Sequence, residues 1–221
     1  MVTIRRSIKY PEENDSYRIG QRPKVKVSIA DYGVGNLHSI RKALELAGAR
    51  PVIESNMKNL LDAEVIVFPG VGAFDSAMER LLPYKEMLAD RLNAGTPCLG
   101  ICIGAQILFE GSEEGRRPGL GIIKGNVIRL KAERVPHMGW NKVVSTDRAF
   151  EGTPPPYYYF AHSYHGVPSE DAAVATTDYF GEFPSAFRKM NVLGVQFHPE
   201  KSNASGAVFL RNFVKFIEAK L

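Results

Sequence analysis

The stretch that decides the fold is Gly100-Ile101-Cys102-Ile103-Gly104. An apolar run suited to a buried strand, Thr96–Leu99, precedes it, and a helix-like run, Ala105–Phe109, follows it. Gly-x-Cys-x-Gly between a strand and a helix is typical of a nucleophile elbow, whose central residue is strained and whose neighbours must be small. The first N–H groups of the following helix favour a thiolate over a thiol. The pattern predicts Cys102 as a nucleophile, and a glycine-rich turn around a small buried cysteine is the alternative.

Strand-like and helix-like patterns alternate upstream of the elbow, and this alternation predicts a parallel sheet with helices on both faces. From residue 126 onward the pattern changes to short alternating strands separated by turns, which predict antiparallel additions to that sheet. We therefore expect an α/β fold with a mostly parallel central sheet. The predicted strands are 25–30, 51–54, 64–68, 126–130, 141–145, 157–161, 173–177, 186–189 and 192–197, and the predicted helices are 37–47, 84–93 and 206–220.

Length and charge suggest one sizeable domain with a polar extension. The chain has 221 residues, 44% of them hydrophobic, and a net charge of +4. Six basic and three acidic residues lie in 1–24, so the remainder carries only +1. We expect residues 1–24 to lie outside the core and residues 25–221 to form the domain. Since the positive charge belongs mostly to the extension, nucleic-acid binding is not expected.

The sequence also argues against a membrane or secreted protein. No apolar run approaches the ~20 residues of a membrane span, and the first residues lack the apolar region of a secretory signal. The two cysteines, Cys98 and Cys102, have a C-x3-C spacing that matches no common redox pair. We expect a cytoplasmic location, no disulfide framework, and neither metal nor cofactor.

A histidine and a glutamate follow the last predicted strand. Pro199 should hold His198 extended, and residues two apart in an extended segment point the same way, so Glu200 can orient the imidazole. An isolated His-x-Glu is more often a solvated surface pair. Together with the elbow, however, Cys102, His198 and Glu200 predict a catalytic triad.

A second glycine loop, Gly70-Val71-Gly72, follows the predicted strand at 64–68. Its glycines allow the backbone to turn an N–H outward at the carboxyl edge of the sheet. The N–H of Val71 together with that of Ile103 would form an oxyanion hole. An ordinary turn between a strand and a helix is the alternative.

At this point the chain resembles a known family. Gly100–Gln106 with the distal His198–Glu200 resembles the class I (triad) glutamine amidotransferases. More narrowly, the chain resembles the family of glutaminase subunits of imidazole glycerol phosphate synthase over about residues 25–221. Five stretches carry this narrower resemblance: 31–36, 69–74, 136–141, 157–164 and 194–202.

The resemblance implies roles for further residues. It implies that glutamine is bound by Gly70, Gly72, Gln106, His162 and Ser163. It also implies that a partner, near an exit for ammonia, is faced by Asn36, Met138, Trp140, Tyr159 and Lys201. Without the resemblance, Trp140 suits core filling and Gln106 suits an ordinary polar position early in a helix.

The implied reaction is hydrolysis of L-glutamine to glutamate and ammonia. The ammonia would pass to a (βα)8-barrel cyclase subunit in a heterodimer, which forms imidazole glycerol phosphate and AICAR in histidine biosynthesis. Ammonia is a nucleophile only when unprotonated, and this chain has no room for an acceptor site, so a separate synthase is expected.

Three other functions remain open from the sequence. The first is an amidotransferase of the same build that serves a surface-sugar or aminobenzoate synthase. The second is a stand-alone cysteine hydrolase or peptidase, and the third is a non-catalytic binding module. The identity of the partner separates the first from the implied function, and turnover without a partner would favour the second.

Overall fold

A computed structural model gives the structure of the chain and describes residues 24–33, 36–70 and 72–220. The predicted extension, apart from Lys24, lies outside the described residues. The strands, in chain order, are β1 Lys26–Ala30, β2 Arg50–Glu54, β3 Ile66–Phe68, β4 Cys98–Ile101, β5 Gly111–Ser112, β6 Gly125–Arg129, β7 His137–Lys142, β8 Val144–Ser145, β9 Tyr157–His162, β10 Tyr164–Pro168, β11 Ala173–Asp178, β12 Glu182–Lys189 and β13 Val192–Val195. The α-helices are α1 Leu37–Leu46, α2 Phe74–Leu81, α3 Lys85–Asn93, α4 Ile103–Gln106 and α5 Asn203–Glu218.

Eight strands form the central sheet, in the order β2-β1-β3-β4-β13-β12-β11-β8. The five strands from β2 to β13 are parallel, and β12, β11 and β8 continue the sheet antiparallel. This arrangement confirms the predicted fold class. The carboxyl ends of β3, β4 and β13 therefore lie side by side, which is the edge where open α/β sheets bind ligands.

Helices cover both faces of this sheet. Buried residues of α1 and α5, among them Leu44 and Phe213, belong to the core on one face. Buried residues of α2, α3 and α4, among them Met78, Leu88 and Ile103, belong to the core on the other face. The sheet is thus buried on both sides, as its near-continuous apolar strands require.

Helix α2 is not in the sequence prediction, although Phe74, Ala77, Met78 and Leu81 are buried with helical spacing. The usual start signal is missing because the N-cap residue, Ala73, has no side chain that could accept a hydrogen bond. Instead, the N–H of Phe74 donates to Oε2 of Glu114, 40 residues away, at 3.1 Å. A cap supplied from a distant loop leaves no local pattern in the sequence.

Two small sheets replace part of the predicted antiparallel addition. Strand β6 pairs with β10 and β5, and β7 pairs with β9, outside the eight-stranded sheet. The predicted strand 141–145 is split between β7 and β8, of which β8 reaches the central sheet. Within the described residues, no helix combines the length and the apolar character needed to cross a bilayer.

Candidate active site

The elbow between β4 and α4 has the geometry of a strained turn. Cys102 has φ 49° and ψ −108°, a backbone conformation that residues other than glycine rarely adopt. A Cβ on Gly100 would lie 2.4 Å from the carbonyl oxygen of Gly104, and a Cβ on Gly104 would lie 1.9 Å from that of Phe68. Both flanking positions therefore require glycine for packing, and the turn presents Cys102 at the carboxyl end of β4.

His198 and Glu200 reach the same edge from the neighbouring strand. Nδ1 of His198 lies 2.8 Å from Oε1 of Glu200, and both side chains are almost fully buried. His198 itself is extended, as predicted, but the extended segment does not continue to Glu200, because Pro199–Lys201 forms a 3-10 turn. This turn, closed by the N–H of Lys201 on the carbonyl of His198, brings the carboxylate back to the imidazole.

The surroundings of His198 favour its protonated form. Burial by itself lowers the pKa of His198, but the interactions of the imidazole with the Cys102 sulfur and the Glu200 carboxylate outweigh it and raise that pKa to about 10. The pairing with Glu200 occupies Nδ1 and leaves Nε2 for other groups. This site can hold an imidazolium beside a thiolate.

A cleft of about 330 Å³ opens at this edge of the sheet. It is lined by ten of the residues named from the sequence: Gly70, Gly72, Cys102, Ile103, Gln106, Met138, His162, Ser163, His198 and Lys201. Gly72 has φ 113°, which a residue with a side chain would strain to adopt. Val71, the predicted second oxyanion donor, lies outside the described residues.

Gln106 and His162 share one backbone acceptor in this cleft. Nε2 of Gln106 donates to the carbonyl of Tyr164 at 2.9 Å, and Nδ1 of His162 lies 2.9 Å from the same oxygen. Nε2 of His162 lies 3.1 Å from Nδ1 of His137. Burial lowers the pKa of His162 to about 3 and that of His137 to about 4, so both rings are neutral near pH 7. The His162 ring is thus occupied within the protein, although the residue lines the cleft.

Two residues of the site are absent from the sequence prediction. Glu114 lines the cleft and is the one acidic side chain among the described residues that line it. Gln196 is fully buried, and its Nε2 lies 3.6 Å from Sγ of Cys102. Gln196 lies in the stretch 194–202, but no spacing there indicates its contact with Cys102, which is 94 positions away, and Glu114 lies in none of the stretches named from the sequence.

The residues expected to face a partner include an exposed aromatic group beside the cleft. Met138 is 64% exposed and Trp140 48% exposed, on strand β7. The Trp140 ring packs edge to face against Tyr159 across the strand pair, and Nζ of Lys201 lies over the Tyr159 ring. The fifth residue, Asn36, caps α1 through its side-chain oxygen, which accepts the N–H of Ser39.

The described residues contain no group of three or more histidine, cysteine, aspartate or glutamate side chains that could hold a metal ion. The polar side chains that line the cleft include the thiol of Cys102, the imidazole of His198, which is paired with Glu200 behind it, the carboxamide of Gln106, the carboxylate of Glu114 and the ammonium group of Lys201. Such a set suits nucleophilic acyl transfer.

Comparison with known proteins gives the same assignment at the level of the family. The family model described as "Glutamine amidotransferase class-I" matches residues 28–216. The imidazole glycerol phosphate synthase subunit HisH of Methanocaldococcus jannaschii is 50% identical over 196 residues, which cover 86% of this chain and 100% of that protein. The subunit of the same name from Thermococcus kodakarensis is 46% identical over 196 residues, covering 85% of this chain and 98% of that one.

Solved structures agree on the fold. A crystal structure of a glutamine amidotransferase superimposes with a TM-score of 0.70 at 19% identity, covering 87% of this chain and 98% of that one. PurLQS from Thermotoga maritima superimposes with a TM-score of 0.67 at 20% identity, covering 87% and 99%. With the match to the family model and the close relatives, the chain belongs to the class I glutamine amidotransferases, within the group of imidazole glycerol phosphate synthase subunits HisH.

Proposed function

We propose that this chain is the glutaminase subunit of an imidazole glycerol phosphate synthase, which acts in histidine biosynthesis. In this proposal it hydrolyses L-glutamine and delivers the ammonia to a (βα)8-barrel cyclase subunit. The observation that carries the proposal is the meeting of Cys102, in its strained elbow, with the His198–Glu200 pair just beyond the end of the neighbouring parallel strand, β13. Residues 1–24 lie outside this unit in the proposal, and residues 25–221 constitute it.

The cleft offers acceptors for the charged end of glutamine. Its α-ammonium group requires carboxylate or carbonyl oxygens, and the cleft presents the carboxylate of Glu114. Oε1 of Gln106 is buried and has no hydrogen-bond partner among the described residues. A buried acceptor without a partner costs free energy until a ligand donates to it. We assign the Glu114 carboxylate and Oε1 of Gln106 to substrate binding. The backbone of four further residues contributes to the same site: Gly70, Gly72, His162 and Ser163.

The reaction then follows from the triad. The Cys102 thiolate attacks the carboxamide carbon of glutamine, and the C–N bond breaks when His198 gives its Nε2 proton to the leaving nitrogen. Ammonia departs and a thioester remains. His198 next removes a proton from water, which attacks the thioester, so that glutamate leaves and the thiolate returns. Glu200 holds the imidazole by Nδ1 throughout.

The oxyanion of each tetrahedral intermediate requires donors near the elbow. Ile103 is the first residue of α4, so its N–H cannot be satisfied within the helix. We assign this N–H to the oxyanion hole and propose that of Val71 as the second donor. Loss of one such donor costs about 10²–10³ in rate.

The surface beside the cleft suits a partner that receives ammonia. Met138 and Lys201 line the cleft and also belong to the group around Trp140 and Tyr159. A subunit docked on this group would cover the mouth of the cleft. Ammonia could then pass to it without entering bulk water, where it would be protonated.

The test is steady-state glutaminase activity of the full chain with and without the cyclase subunit. We expect activity in the complex, its loss in Cys102→Ser, and imidazole glycerol phosphate formed from glutamine. Cys98→Ser is the matched control and should retain activity. Glutamine hydrolysis coupled to a different synthase, or hydrolysis of peptides by the chain alone, would contradict the proposal.

A further inference from the structure

Gln196 lies directly beside the nucleophile. The parallel register pairs Val195 with Ile101, the last residues of β13 and β4. The residues that follow these strands, Gln196 and Cys102, are therefore neighbours. The backbone fixes both positions, because the N–H of Cys102 donates to the carbonyl of Val195 at 2.7 Å and that of Gln196 donates to the carbonyl of Ser185 at 2.9 Å. The Gln196 side chain is fully buried, with its Nε2 3.6 Å from Sγ.

The orientation of this carboxamide is determined by its neighbours. The carbonyl of Tyr164 can only accept, so the Gln106 atom 2.9 Å from it must be the amide nitrogen. That same nitrogen lies 3.2 Å from the Gln196 side chain and has a second proton to donate, so the Gln196 atom facing it is Oε1. The other atom of the Gln196 carboxamide, the one facing Sγ, is therefore the NH2 group. Reversing the carboxamide would place two NH2 groups against each other and an oxygen against the sulfur.

A donor at this position has a chemical consequence for a buried thiolate. Cys102 is only 4% exposed, so water solvates its sulfur poorly. A charged acceptor gains more from a hydrogen bond than a neutral one does, so an N–H aimed at Sγ favours the thiolate over the thiol. The carbonyl of Ala161, 3.9 Å from Sγ, can accept only from the thiol.

We propose that Gln196 is a hydrogen-bond donor to the Cys102 thiolate and that Gln106 holds it in the donating orientation. The inference rests on the proposed glutaminase function, which it extends beyond the triad. Gln196 stabilises the thiolate before attack and again when thioester hydrolysis regenerates it. The chain from Tyr164 through Gln106 to Gln196 links the floor of the substrate cleft to the sulfur by hydrogen bonds alone.

The experiment compares the full chain with Gln196→Met, which keeps the side-chain length and removes the N–H. The rate of Cys102 alkylation by iodoacetamide is measured against pH, with the modified residue located by mass spectrometry. We expect the pH midpoint of alkylation to rise by about one unit, so that the rate at pH values below both midpoints falls about tenfold. In the complex with the cyclase, kcat for glutamine should fall about 10- to 100-fold while KM changes little. An unchanged alkylation midpoint in the folded variant overturns the proposal.

Thr177→Val is the matched structural control. It removes a buried hydrogen bond to the side chain of Ser185, whose backbone carbonyl accepts the N–H of Gln196. The variant therefore disturbs the same region without touching the sulfur. Its alkylation midpoint should equal that of the unmodified chain, and an equal rise in both variants would show general loosening and overturn the proposal.

A second measurement needs no variant of Gln196. In the ¹⁵N-labelled full chain, the carboxamide protons of Gln196 should shift with pH at the same midpoint as Cys102 alkylation. The shift should disappear in Cys102→Ser, and a shift that persists there, or none in the unmodified chain, overturns the inference. Neither alkylation nor these spectra require glutamine. Failure of the glutaminase assay with an intact alkylation shift would therefore reject the proposed function alone.

Discussion

Two cysteines four residues apart have different surroundings, and this difference predicts their reactivity. Cys98 lies within β4 with no exposed surface, and burial raises the pKa of its thiol far above the ordinary value. Cys102 lines the cleft. We expect a glutamine-analogue electrophile to label Cys102 alone, as measured by peptide mass spectrometry. Label on Cys98, or undiminished glutaminase activity in Cys102→Ala, would contradict the assignment.

Replacing Glu200 by glutamine tests how His198 is held. A carboxamide can accept the Nδ1–H but has no negative charge to offset that of the imidazolium, so the pKa of His198 should fall below about 10, and kcat should decrease about 10²–10⁴-fold. NMR titration of the histidine and steady-state kinetics measure the two effects. A His198 pKa that stays at about 10 in Glu200→Gln would show that Cys102 alone maintains it.

The same pair has a defined pH dependence in its effect on stability. Because the folded-state pKa of His198 lies above its unfolded value of about 6.5, its stabilisation is fully present below that pH and is lost as the pH rises through about 10. Glu200→Gln should therefore lower the free energy of unfolding more at pH 6 than at pH 10. Chemical denaturation at both values measures the difference.

At this scale the sequence predicts what a local motif specifies. Gly-x-Cys-x-Gly and His-Pro-Glu are short patterns whose chemistry can be predicted from the sequence alone. Gln196 and Glu114 are not, because the contact of Gln196 with the sulfur spans 94 positions and that of Glu114 with α2 spans 40. A glutamine just after a buried strand and a glutamate in a loop of mixed charge, 113–117, have no spacing that identifies these contacts.

The elbow element depends on the absence of side chains at two positions. A methyl group on Gly104 would lie 1.9 Å from the backbone oxygen of Phe68, an atom that cannot move without shifting β3. Gly104→Ala should therefore destabilise the fold by about 1–3 kcal/mol and misplace Cys102. Denaturant unfolding and glutaminase assays measure both effects.

Gly48→Ala provides the control for that substitution. Gly48 has φ 104°, and no atom lies within 4 Å of the position that a methyl group would take there, so its replacement adds conformational strain without a clash. We expect a cost of about 1 kcal/mol and unchanged kinetics. Equal effects of the two substitutions on catalysis would argue against tight packing as the reason for Gly104.

Elements are predictable where their signals are local. The periodic pattern predicts the end of α1 to within one residue. The apolar face of α5 likewise predicts a helix in that part of the chain. Helix α2 is missed because its cap comes from Glu114, and the turn at Pro199–Lys201 is missed because Pro199 suggests an extended chain. In both cases a tertiary contact decides the local conformation.

For the molecule as a whole, the buried histidines predict sensitivity to acid. The folded-state pKa values of His137 and His162, about 4 and about 3, lie below the unfolded value. The unfolded chain thus binds more protons as the pH falls below about 6.5, and stability should decrease by a few kcal/mol on the way to pH 4. His198 does not contribute in this range, since it is protonated in both states.

His137→Gln tests this origin of acid sensitivity. Removing one buried titrating ring should reduce the slope of the free energy of unfolding between pH 6.5 and 4, whatever the variant's stability at pH 7. His38→Gln, at an exposed position on α1, should leave the slope unchanged. Parallel slopes for the unmodified chain and His137→Gln would assign the acid sensitivity to other groups.

The central sheet could be predicted from the alternation of patterns, but the arrangement of its edge could not. Strands β7 and β9 have the alternating pattern of apolar and polar residues that strands of the main sheet have. They nevertheless pair with each other in a separate two-stranded sheet. Their alternation is the same in either arrangement, because it reports one buried face and not the partner strand. This arrangement bears on the proposed partner surface, since the strand pair carries Met138 and Trp140.

The exposed Trp140 gives a prediction about assembly. A tryptophan 48% exposed beside Met138, at 64%, is an apolar surface that a free subunit has no structural reason to present. Aromatic anchors of this kind dominate binding energy when a partner buries them, so Trp140→Ala should weaken binding of the cyclase subunit at least about 30-fold. Calorimetric titration measures this affinity.

Leu46→Ala is the control for this prediction. It truncates a more exposed side chain at the far end of α1 and should change the affinity for the cyclase subunit less than twofold. If Trp140→Ala retained full affinity but lost ammonia transfer, the ring would line the passage without anchoring the partner. If it retained both, the partner would dock elsewhere.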